Sequence, residues 1–414
     1  MSVLKPFRAV RPTPEYASQV ASLPYDVMSS EEAYVMVKDK PYSFMRIDRA
    51  EVNFPRGTDQ YSEQVYLKAR EILDSLEEKG IFAQDEKPMF YIYRQIMNGR
   101  VQTGLVGCAS IDEYNENKIK KHELTRADKE IDRINHVNYC DANTGPIFLV
   151  HRPEKKLKAL ISEWAASHTP VYDFTTEDGI VSTVWPVDDE ETVKEIAEIF
   201  KGVDALYIAD GHHRANSAVK VGLMRRQENP SYDGTEEFNF FLSVLFSSDE
   251  LKIMPYNRVA KMPKGVSEEE LLRRISAKFE IEKMGREPYA PEKVHCFGML
   301  LGNVWYKLTA KEGTFDPDNV IDSLDVSILQ NNLIAPVLGI DDPRKSKRID
   351  FVGGIRGLGE LVKRANTDME IAFSMYPTSV GELMDIADAG EIMPPKSTWF
   401  EPKLLSGLFI HKLK

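Results

Sequence analysis

Cysteine is scarce in this sequence: three of the 414 residues are cysteines, Cys108, Cys140 and Cys296. They lie far apart and form no Cys-x-x-Cys pair, which argues against a disulfide framework and against a thiolate zinc site. Long apolar runs are also missing, because no stretch of about 18 apolar residues occurs that would predict a membrane-spanning helix. The first residues lack the apolar core of a signal peptide. We therefore expect a soluble, cytoplasmic chain without a membrane partner.

Positive charge is in short supply as well. Lysine and arginine number 53 against 65 aspartates and glutamates, which gives a formal net charge of −12. Proteins that bind nucleic-acid phosphates need a basic face, so a nucleic-acid partner is not expected. Hydrophobic residues at 42% and charged residues at 29% are ordinary for globular proteins and exclude a largely disordered or fibrous chain.

Helix and strand signals alternate along the chain and predict an α/β fold of the α+β kind, with mixed sheets. Apolar residues recur at helical spacing over residues 61–79. Asn98-Gly99 separates two apolar runs, as in a β-hairpin, and residues 205–209 form a short apolar strand. The highly charged segment 116–136 has a helical pattern. We predict three parts: an N-terminal extension (1–85), a central core (86–262) and a C-terminal α/β domain that contributes a loop to the candidate site (263–414).

The strongest local signal is the pentapeptide Asp-Gly-His-His-Arg from Asp210 to Arg214, which lies between an apolar strand and a helix start. The first helical turn has unpaired amides and partial positive charge, and Gly211 lets a phosphate approach the backbone closely. Arg214 and one histidine can bind phosphate oxygens, while Asp210 suits a bridging Mg²⁺. Asp210 as a simple helix cap with structural histidines is an equal alternative. Zinc binding by the adjacent histidines is disfavoured, because they point about 100° apart on a helix.

A basic cluster precedes Glu123 and continues after it. A phosphoryl transfer to an alcohol needs a group that accepts the hydroxyl proton and cations that neutralise the phosphoryl charge. Glu123 suits the first task, and the second has several candidates: Lys120, Lys121, His122, Arg126 and Lys129. A solvated helix with charged pairs four residues apart is the alternative interpretation.

Two segments near the C-terminus are further candidates for anion binding. A glycine turn, residues 352–357, follows a strand and opens a helix, so Arg356 is a candidate phosphate contact, although a tight structural turn explains the glycines equally well. The segment from Pro394 to Thr398 is rigid and then polar. Lys396 suits a phosphate or carboxylate partner, and the alternative is a surface loop.

Three of these segments resemble, in the same order, motifs of the free L-serine kinases in the ParB/sulfiredoxin superfamily. The pentapeptide is shared, residues 118–123 resemble a Lys-x-Lys-Pro-His-Glu segment with Lys121 in place of proline, and residues 390–398 resemble a Gly-Glu-Val-Phe-Ser-Pro-Lys-Thr-Thr segment. The whole chain resembles a bacterial family labelled as domain of unknown function 1015. The resemblance implies a ParB/sulfiredoxin-like nucleotide-binding core with additional N-terminal and C-terminal α/β parts.

The resemblance further implies a kinase that uses ATP or ADP with Mg²⁺ to phosphorylate free L-serine or a similar small hydroxy amino acid. The implied roles are catalytic for Glu123, Asp210 and His213, with Asp210 also the metal ligand; nucleotide or phosphate binding for Gly211, His212, Arg214, Lys120 and Lys121; and substrate binding for His122, Lys396, Ser397 and Thr398. Arg356 joins the phosphate-binding candidates through the geometry of its glycine turn alone. A nucleotide-binding ParB-like regulatory protein without catalysis is the alternative. Sulfiredoxin chemistry is disfavoured because no cysteine lies in the motif. The sequence leaves the oligomeric state open, a homo-oligomer included.

Overall fold

A computed structural model describes residues 2–125 and 127–414, apart from the side chain of Asp128. The chain forms two compact units, the first comprising residues 2–251 and 402–414 and the second residues 252–401. The first unit therefore contains both chain ends, and the second is inserted into it. The three-part division after residues 85 and 262 stays a prediction. In the described part of the chain, every helix is too short or too polar to cross a membrane.

The mixed α/β fold is confirmed by the elements of the described residues. The strands are β1 (Leu4–Lys5), β2 (Val10–Pro12), β3 (Phe82–Gln84), β4 (Phe90–Met97), β5 (Arg100–Ser110), β6 (Ile119–Lys120), β7 (Ala142–Asn143), β8 (Ile147–His151), β9 (Tyr172–Thr175), β10 (Val181–Val187), β11 (Leu206–Asp210), β12 (Phe240–Ser247), β13 (Tyr256–Ala260), β14 (Phe279–Gly285), β15 (Cys296–Leu301), β16 (Val304–Ala310), β17 (Ile349–Gly353), β18 (Ile371–Met375) and β19 (His411–Lys412). The α-helices are α1 (Ala17–Val20), α2 (Ser30–Val37), α3 (Met45–Asp48), α4 (Glu63–Glu78), α5 (Ile111–Asn115), α6 (Ala127–Cys140), α7 (Lys155–Ser167), α8 (Glu190–Lys201), α9 (His212–Glu228), α10 (Glu268–Ile275), α11 (Asp325–Leu329), α12 (Gly357–Thr367) and α13 (Val380–Asp388).

The large sheet of the first unit has the order β6-β11-β8-β12-β5-β4-β10-β9, and β1 pairs with β5 outside this path. The pairs β6/β11 and β8/β12 are parallel, and the other pairs are antiparallel. Strand β8 is buried over its whole length. Its apolar side chains pack with those of α7, α8 and α9 in one core, which holds the strand–turn–helix unit of β11 and α9 in place.

The end of the chain returns to the first unit. His411 lies opposite Asn143 in the short β19/β7 sheet, and Ile410 exchanges backbone hydrogen bonds with Val10. Ile410 is fully buried in a second core, formed mainly around α4 and the N-terminal segment. The last residues are thus a structural part of the first unit.

The second unit contains an antiparallel sheet of order β14-β16-β15-β18-β13-β17. Helix α12 packs its buried Leu361 against the sheet residues Val259, Leu300 and Trp305. The strand and the helix predicted on either side of the glycine turn are present here as β17 and α12.

Several local predictions are confirmed and one is wrong. The predicted helix at 61–79 is α4, and Asn98 and Gly99 join β4 to β5 with φ of 52° and 76°, as a hairpin turn requires. The predicted helix at 116–136 is instead a turn that follows α5, strand β6, a loop and most of α6. Strand β6 interrupts the helical pattern because its backbone pairs with β11.

Gly222 marks a close approach inside the first unit, so we expect Gly222→Ala to destabilise the fold. A Cβ at this position in α9 would lie 2.4 Å from the backbone oxygen of Phe238 and 2.8 Å from Cδ1 of Ile111. Relief of that overlap requires backbone movement, which costs about 1–3 kcal/mol of the free energy of unfolding. Urea unfolding measures the loss, and the half-exposed neighbour Leu223→Ala serves as the control, with a change within about 0.5 kcal/mol. Equal stability of Gly222→Ala and the native chain would contradict this packing.

Candidate functional site

Two parallel strands bring separate chain segments together at one edge of the large sheet. In the β6/β11 pair, Ile119 lies opposite Leu206, and Lys120 lies opposite Tyr207. Because the strands run in the same direction, the residues that follow them leave the sheet at the same edge. The segment 121–123 therefore lies beside the pentapeptide 210–214. The resemblance to the serine kinases assigned both segments to one site.

Gly211 turns the chain from β11 into α9. Its backbone is left-handed, with φ of +91° and ψ of 31°, a conformation that glycine adopts without strain. A Cβ at this position would lie 3.1 Å from the guanidinium of Arg214, so the missing side chain also leaves room for the arginine. No acidic residue occupies the first turn of α9, so the positive end of this helix is not neutralised from within.

The guanidinium of Arg214 folds back over the turn. Its Nη1 donates a hydrogen bond to the backbone oxygen of Pro146, and its Nε is buried with no hydrogen-bond partner among the described residues. Burial lowers the pKa of Arg214, but Asp26 and Asp210 outweigh it and raise the pKa above its ordinary value. The side chain is therefore a permanent cation beside an open helix end.

Asp210 lies at the end of β11 and is held by a lysine from the returning C-terminal segment. Its Oδ2 is 3.1 Å from Nζ of Lys403, and its Oδ1 accepts a hydrogen bond of 2.9 Å from the amide of Gly211. Desolvation alone would raise the pKa of Asp210, but the positive charges of Lys403 and Arg214 hold it well below its ordinary value. Asp210 is therefore ionised at neutral pH. Sequence analysis missed Lys403, since no local pattern connects residues 193 positions apart.

His122 and His212 form a buried pair next to Glu123. The two rings meet edge to face with 4.5 Å between their centroids, and the side chains are 2% and 5% exposed. Nδ1 of His212 lies 3.8 Å from Oε2 of Glu123, whose side chain is 47% exposed. The amide of His122 lies 3.5 Å from Nε2 of His212, at the limit of hydrogen-bond distance. A solvent-accessible carboxylate thus lies at the mouth of a buried imidazole pair.

Both imidazoles are neutral at physiological pH. Burial lowers the pKa of His122 to about 4, against the opposing influence of Asp210 and of the Ile208 carbonyl. Burial and the neighbouring His122 lower the pKa of His212 well below its ordinary value. His213, the second histidine of the pentapeptide, is only partly buried, and its backbone oxygen accepts a hydrogen bond of 2.7 Å from Oγ of Ser217.

The basic residues that precede Glu123 differ in their surroundings. The amine of Lys121 donates a 2.9 Å hydrogen bond to the carbonyl of Tyr114 and lies 4.1 Å from the centre of its ring, and burial lowers its pKa. Lys120 is partly buried within β6. Arg126 lies outside the described residues. A role of Lys120 and Lys121 in phosphate binding stays a prediction.

A second polar cluster, which sequence analysis missed, lies on the other side of Arg214. Arg214 and Tyr25 line a cleft together with Asp48, Arg133 and His136. The guanidinium of Arg133 stacks 4.0 Å from the centre of the Tyr25 ring. Arg133 and His136 lie three residues apart on one face of α6, a spacing that sequence analysis did not single out. Residues of the predicted N-terminal extension therefore reach the surroundings of the pentapeptide.

The remaining predicted site residues belong to the second unit. Arg356 ends a short 3-10 helix, Gly354–Arg356, and is exposed. Lys396 has a positive φ of 62°, and its carbonyl accepts a 3.1 Å hydrogen bond from Arg258. The hydroxyl of Ser397 donates to the carbonyl of Pro394, and Thr398 is partly buried. The ligand contacts expected for Arg356 and for residues 396–398 stay predictions.

A family model described as protein of unknown function (DUF1015) matches residues 4–327, and the chain belongs to this family. Among solved structures, the chain is similar to a conserved hypothetical protein from Pyrococcus furiosus, with 16% identity, a TM-score of 0.36, and coverage of 75% of this chain and 95% of that one. It is similar to free serine kinase in complex with AMP, with 15% identity, a TM-score of 0.36, and coverage of 78% and 93%. A mutant of that kinase in complex with ADP gives 16% identity, a TM-score of 0.35, and coverage of 75% and 93%. No curated protein sequence matches the chain.

Membership of the family of unknown function is thereby confirmed, and free serine kinase is among the structural neighbours. At these identities and TM-scores, the structural likeness supports no conclusion about chemistry.

We expect the first unit to lose stability as the pH becomes alkaline, because His136 is buried and protonated. Burial lowers the pKa of His136, but Cys140 and Asp48 outweigh this effect and raise the pKa to about 9. A pKa above the unfolded value of about 6.5 contributes stability that is complete below pH ~6.5 and is lost as pH rises through ~9. The contribution is on the order of 3 kcal/mol.

Urea unfolding between about pH 6 and pH 10 measures this dependence. His136→Gln should remove most of the decline in stability between neutral and alkaline pH, whereas the control His168→Gln, an exposed position, should retain it. An unchanged pH profile in His136→Gln would show that His136 is neutral in the folded protein.

Proposed function

For this member of the DUF1015 family, we propose a small-molecule kinase that binds ATP or ADP at the turn from Asp210 to Arg214. The acceptor is the hydroxyl of free L-serine or of a similar small hydroxy amino acid, and the product with serine is O-phosphoserine. The observation on which the proposal rests is the parallel β6/β11 pairing, which places Glu123 within 3.8 Å of His212 in this turn.

The phosphates bind at the start of α9. The left-handed Gly211 opens the backbone to a close approach, and the first-turn amides point out of the helix as donors. The guanidinium of Arg214 supplies a cation with unused hydrogen-bonding capacity at its Nε. Charge-assisted hydrogen bonds from a guanidinium to phosphate oxygens are short and directional, so Arg214 fixes the position of the transferred group.

Asp210 fits a role as a ligand of Mg²⁺. It is ionised, partly exposed, and located beside the helix start that takes the phosphates. Mg²⁺ usually binds through one or two carboxylates together with substrate phosphates, and it supplies charge neutralisation there. Lys403 balances the charge of Asp210 in the structure and lies close enough to share that task.

Glu123 accepts the proton of the acceptor hydroxyl. The hydroxyl oxygen forms a new bond to the terminal phosphorus, while the bond from that phosphorus to its bridging oxygen breaks and the electron pair stays with the nucleotide. The hydroxyl proton moves to the Glu123 carboxylate. The 47% exposed side chain is accessible to a substrate, and the neutral His212 beside it adds no positive charge that would weaken it as a base.

The other site residues have supporting roles in this proposal, based on the resemblance of their segments to the serine kinases. His213 acts beside Asp210 and Glu123 in catalysis. Lys120 and Lys121 contribute positive charge to phosphate binding. His122 contributes to substrate binding.

We expect Glu123→Gln to lower kcat by about 100- to 10,000-fold, as for the loss of a general base, while nucleotide affinity changes little. O-phosphoserine formed from L-serine, Mg²⁺ and either ATP or ADP is measured by mass spectrometry, which also identifies the donor. Glu116→Gln is the matched control, because Glu116 is an exposed carboxylate in the same segment. If neither ATP nor ADP supports phosphorylation of any small hydroxy amino acid, the kinase is excluded. Nucleotide binding without turnover would favour the regulatory alternative.

We expect Arg214→Ala to weaken nucleotide binding by about 10- to 100-fold, since hydrogen bonds to charged groups contribute roughly 1.5–3 kcal/mol. Calorimetric titration with ATP and ADP measures the change, and thermal unfolding checks that the variant is folded. Arg226→Ala is the control, because Arg226 lies in the last turn of the same helix and pairs with Asp112 at 2.7 Å. Unchanged affinity in a folded Arg214→Ala protein would rule out the phosphate site.

A further inference from the structure

His122, Glu123 and His212 form a compact group, the His–Glu–His cluster, in which each residue offers one ligand atom to a cation. These ligand atoms all lie within 4.8 Å of one another. Two of the three side chains are buried and the third is half exposed. The cluster therefore combines fixed imidazoles with one adjustable carboxylate.

His122 gives a second and independent indication of a ligand. Its side chain is 2% exposed, and neither ring nitrogen makes a hydrogen bond of regular geometry to a described residue, although the Ile208 carbonyl acts on the ring electrostatically. A buried polar group without such a bond is costly, and it is unusual in folded proteins unless the group has a functional partner. The ring meets His212 edge to face, so its nitrogens are beside another potential ligand.

The dimensions of the cluster suit a small cation after a modest contraction. Tetrahedral coordination with bonds of about 2.0–2.1 Å places ligand atoms about 3.4 Å apart. Nδ1 of His212 and Oε2 of Glu123 are already 3.8 Å apart. Rotation of the half-exposed Glu123 side chain brings its carboxylate closer to the imidazoles. Metal binding through Nδ1 of His212 would remove the 3.5 Å contact between the amide of His122 and Nε2 of His212. This contact is weak, so its loss costs little.

We propose that the His–Glu–His cluster binds a divalent transition-metal cation of the Zn²⁺ class. Two imidazole nitrogens and one carboxylate oxygen are ligands that this class prefers, and water completes the coordination. Mg²⁺ prefers oxygen ligands and keeps several waters, so it does not compete for two imidazoles. This site is separate from the Mg²⁺ role proposed for Asp210, and it uses His212 with His122 rather than with its neighbour His213.

A consequence for catalysis follows, and this part alone rests on the proposed function. A carboxylate that coordinates a metal cannot at the same time accept a hydroxyl proton. Occupation of the cluster therefore inhibits phosphoryl transfer through Glu123, even when Mg²⁺ is in excess.

Titration of the tag-free, metal-stripped full chain with Co²⁺ tests the site without any activity assay. The expected result is the visible absorption of Co²⁺ bound to nitrogen and oxygen ligands, complete at one equivalent per chain, abolished by Zn²⁺ and unaffected by excess Mg²⁺. Glu123→Gln and His122→Gln should each weaken Co²⁺ binding by about 100-fold or more. Glu123→Gln tests the site even if His122→Gln fails to fold, because the Glu123 side chain is half exposed and its replacement leaves the core unchanged.

Matched controls separate this cluster from other metal-binding groups. His151→Gln replaces a buried histidine elsewhere in the large sheet, and Glu116→Gln an exposed carboxylate nearby, so both should leave the Co²⁺ spectrum unchanged. Absence of the spectrum, its persistence in both cluster variants, or a thiolate charge-transfer band would overturn the site. Metal binding together with full kinase activity would instead refute the role of Glu123 as the base and leave the site standing.

Discussion

The site depends on one short parallel pairing, in which the two residues of β6 lie beside the start of β11. Without it, the segment that ends in Glu123 and the turn that begins at Asp210 are unrelated stretches of chain. Parallel pairing has a definite consequence, because both chains must leave the sheet at the same edge. The edge position of β6 in the sheet also leaves its other side free of strands among the described residues. A two-residue strand is therefore sufficient to bring a carboxylate and two imidazoles to a helix start.

Buried charge is the second constraint on this region. Asp210, Arg214, Arg133 and Asp48 all lie at least partly out of water, and each has an opposite charge close by. Burial alone favours the neutral form of each of these groups, and the nearby opposite charges restore the charged form. Removal of one member leaves another uncompensated, so the turn from Asp210 to Arg214 and the polar cluster around His136 are electrostatically linked through Arg214. The two histidines beside Glu123 are the exception, since they are buried as neutral groups.

The sequence predicted what depends on local pattern. Helix α4, the hairpin at Asn98-Gly99 and strand β11 followed from spacing and turn chemistry, and so did the glycine before α9. Strand β6 did not, because two residues within a charged run have no period of their own. Lys403 and the cleft around Arg133 were also missed, since both arise from contacts between distant segments. The meeting of residues 122–123 with the pentapeptide was predicted only through the resemblance to a known family and not from periodicity.

The insertion of residues 252–401 has a consequence for the order of biosynthesis. A ribosome makes residues 2–251 well before residues 402–414, so the nascent first unit at first lacks strand β19 and lacks Ile410 in its core. During that interval Asp210 has no Lys403 to offset its charge. The surroundings of Asp210 are therefore completed only after residues 252–401 have been synthesised.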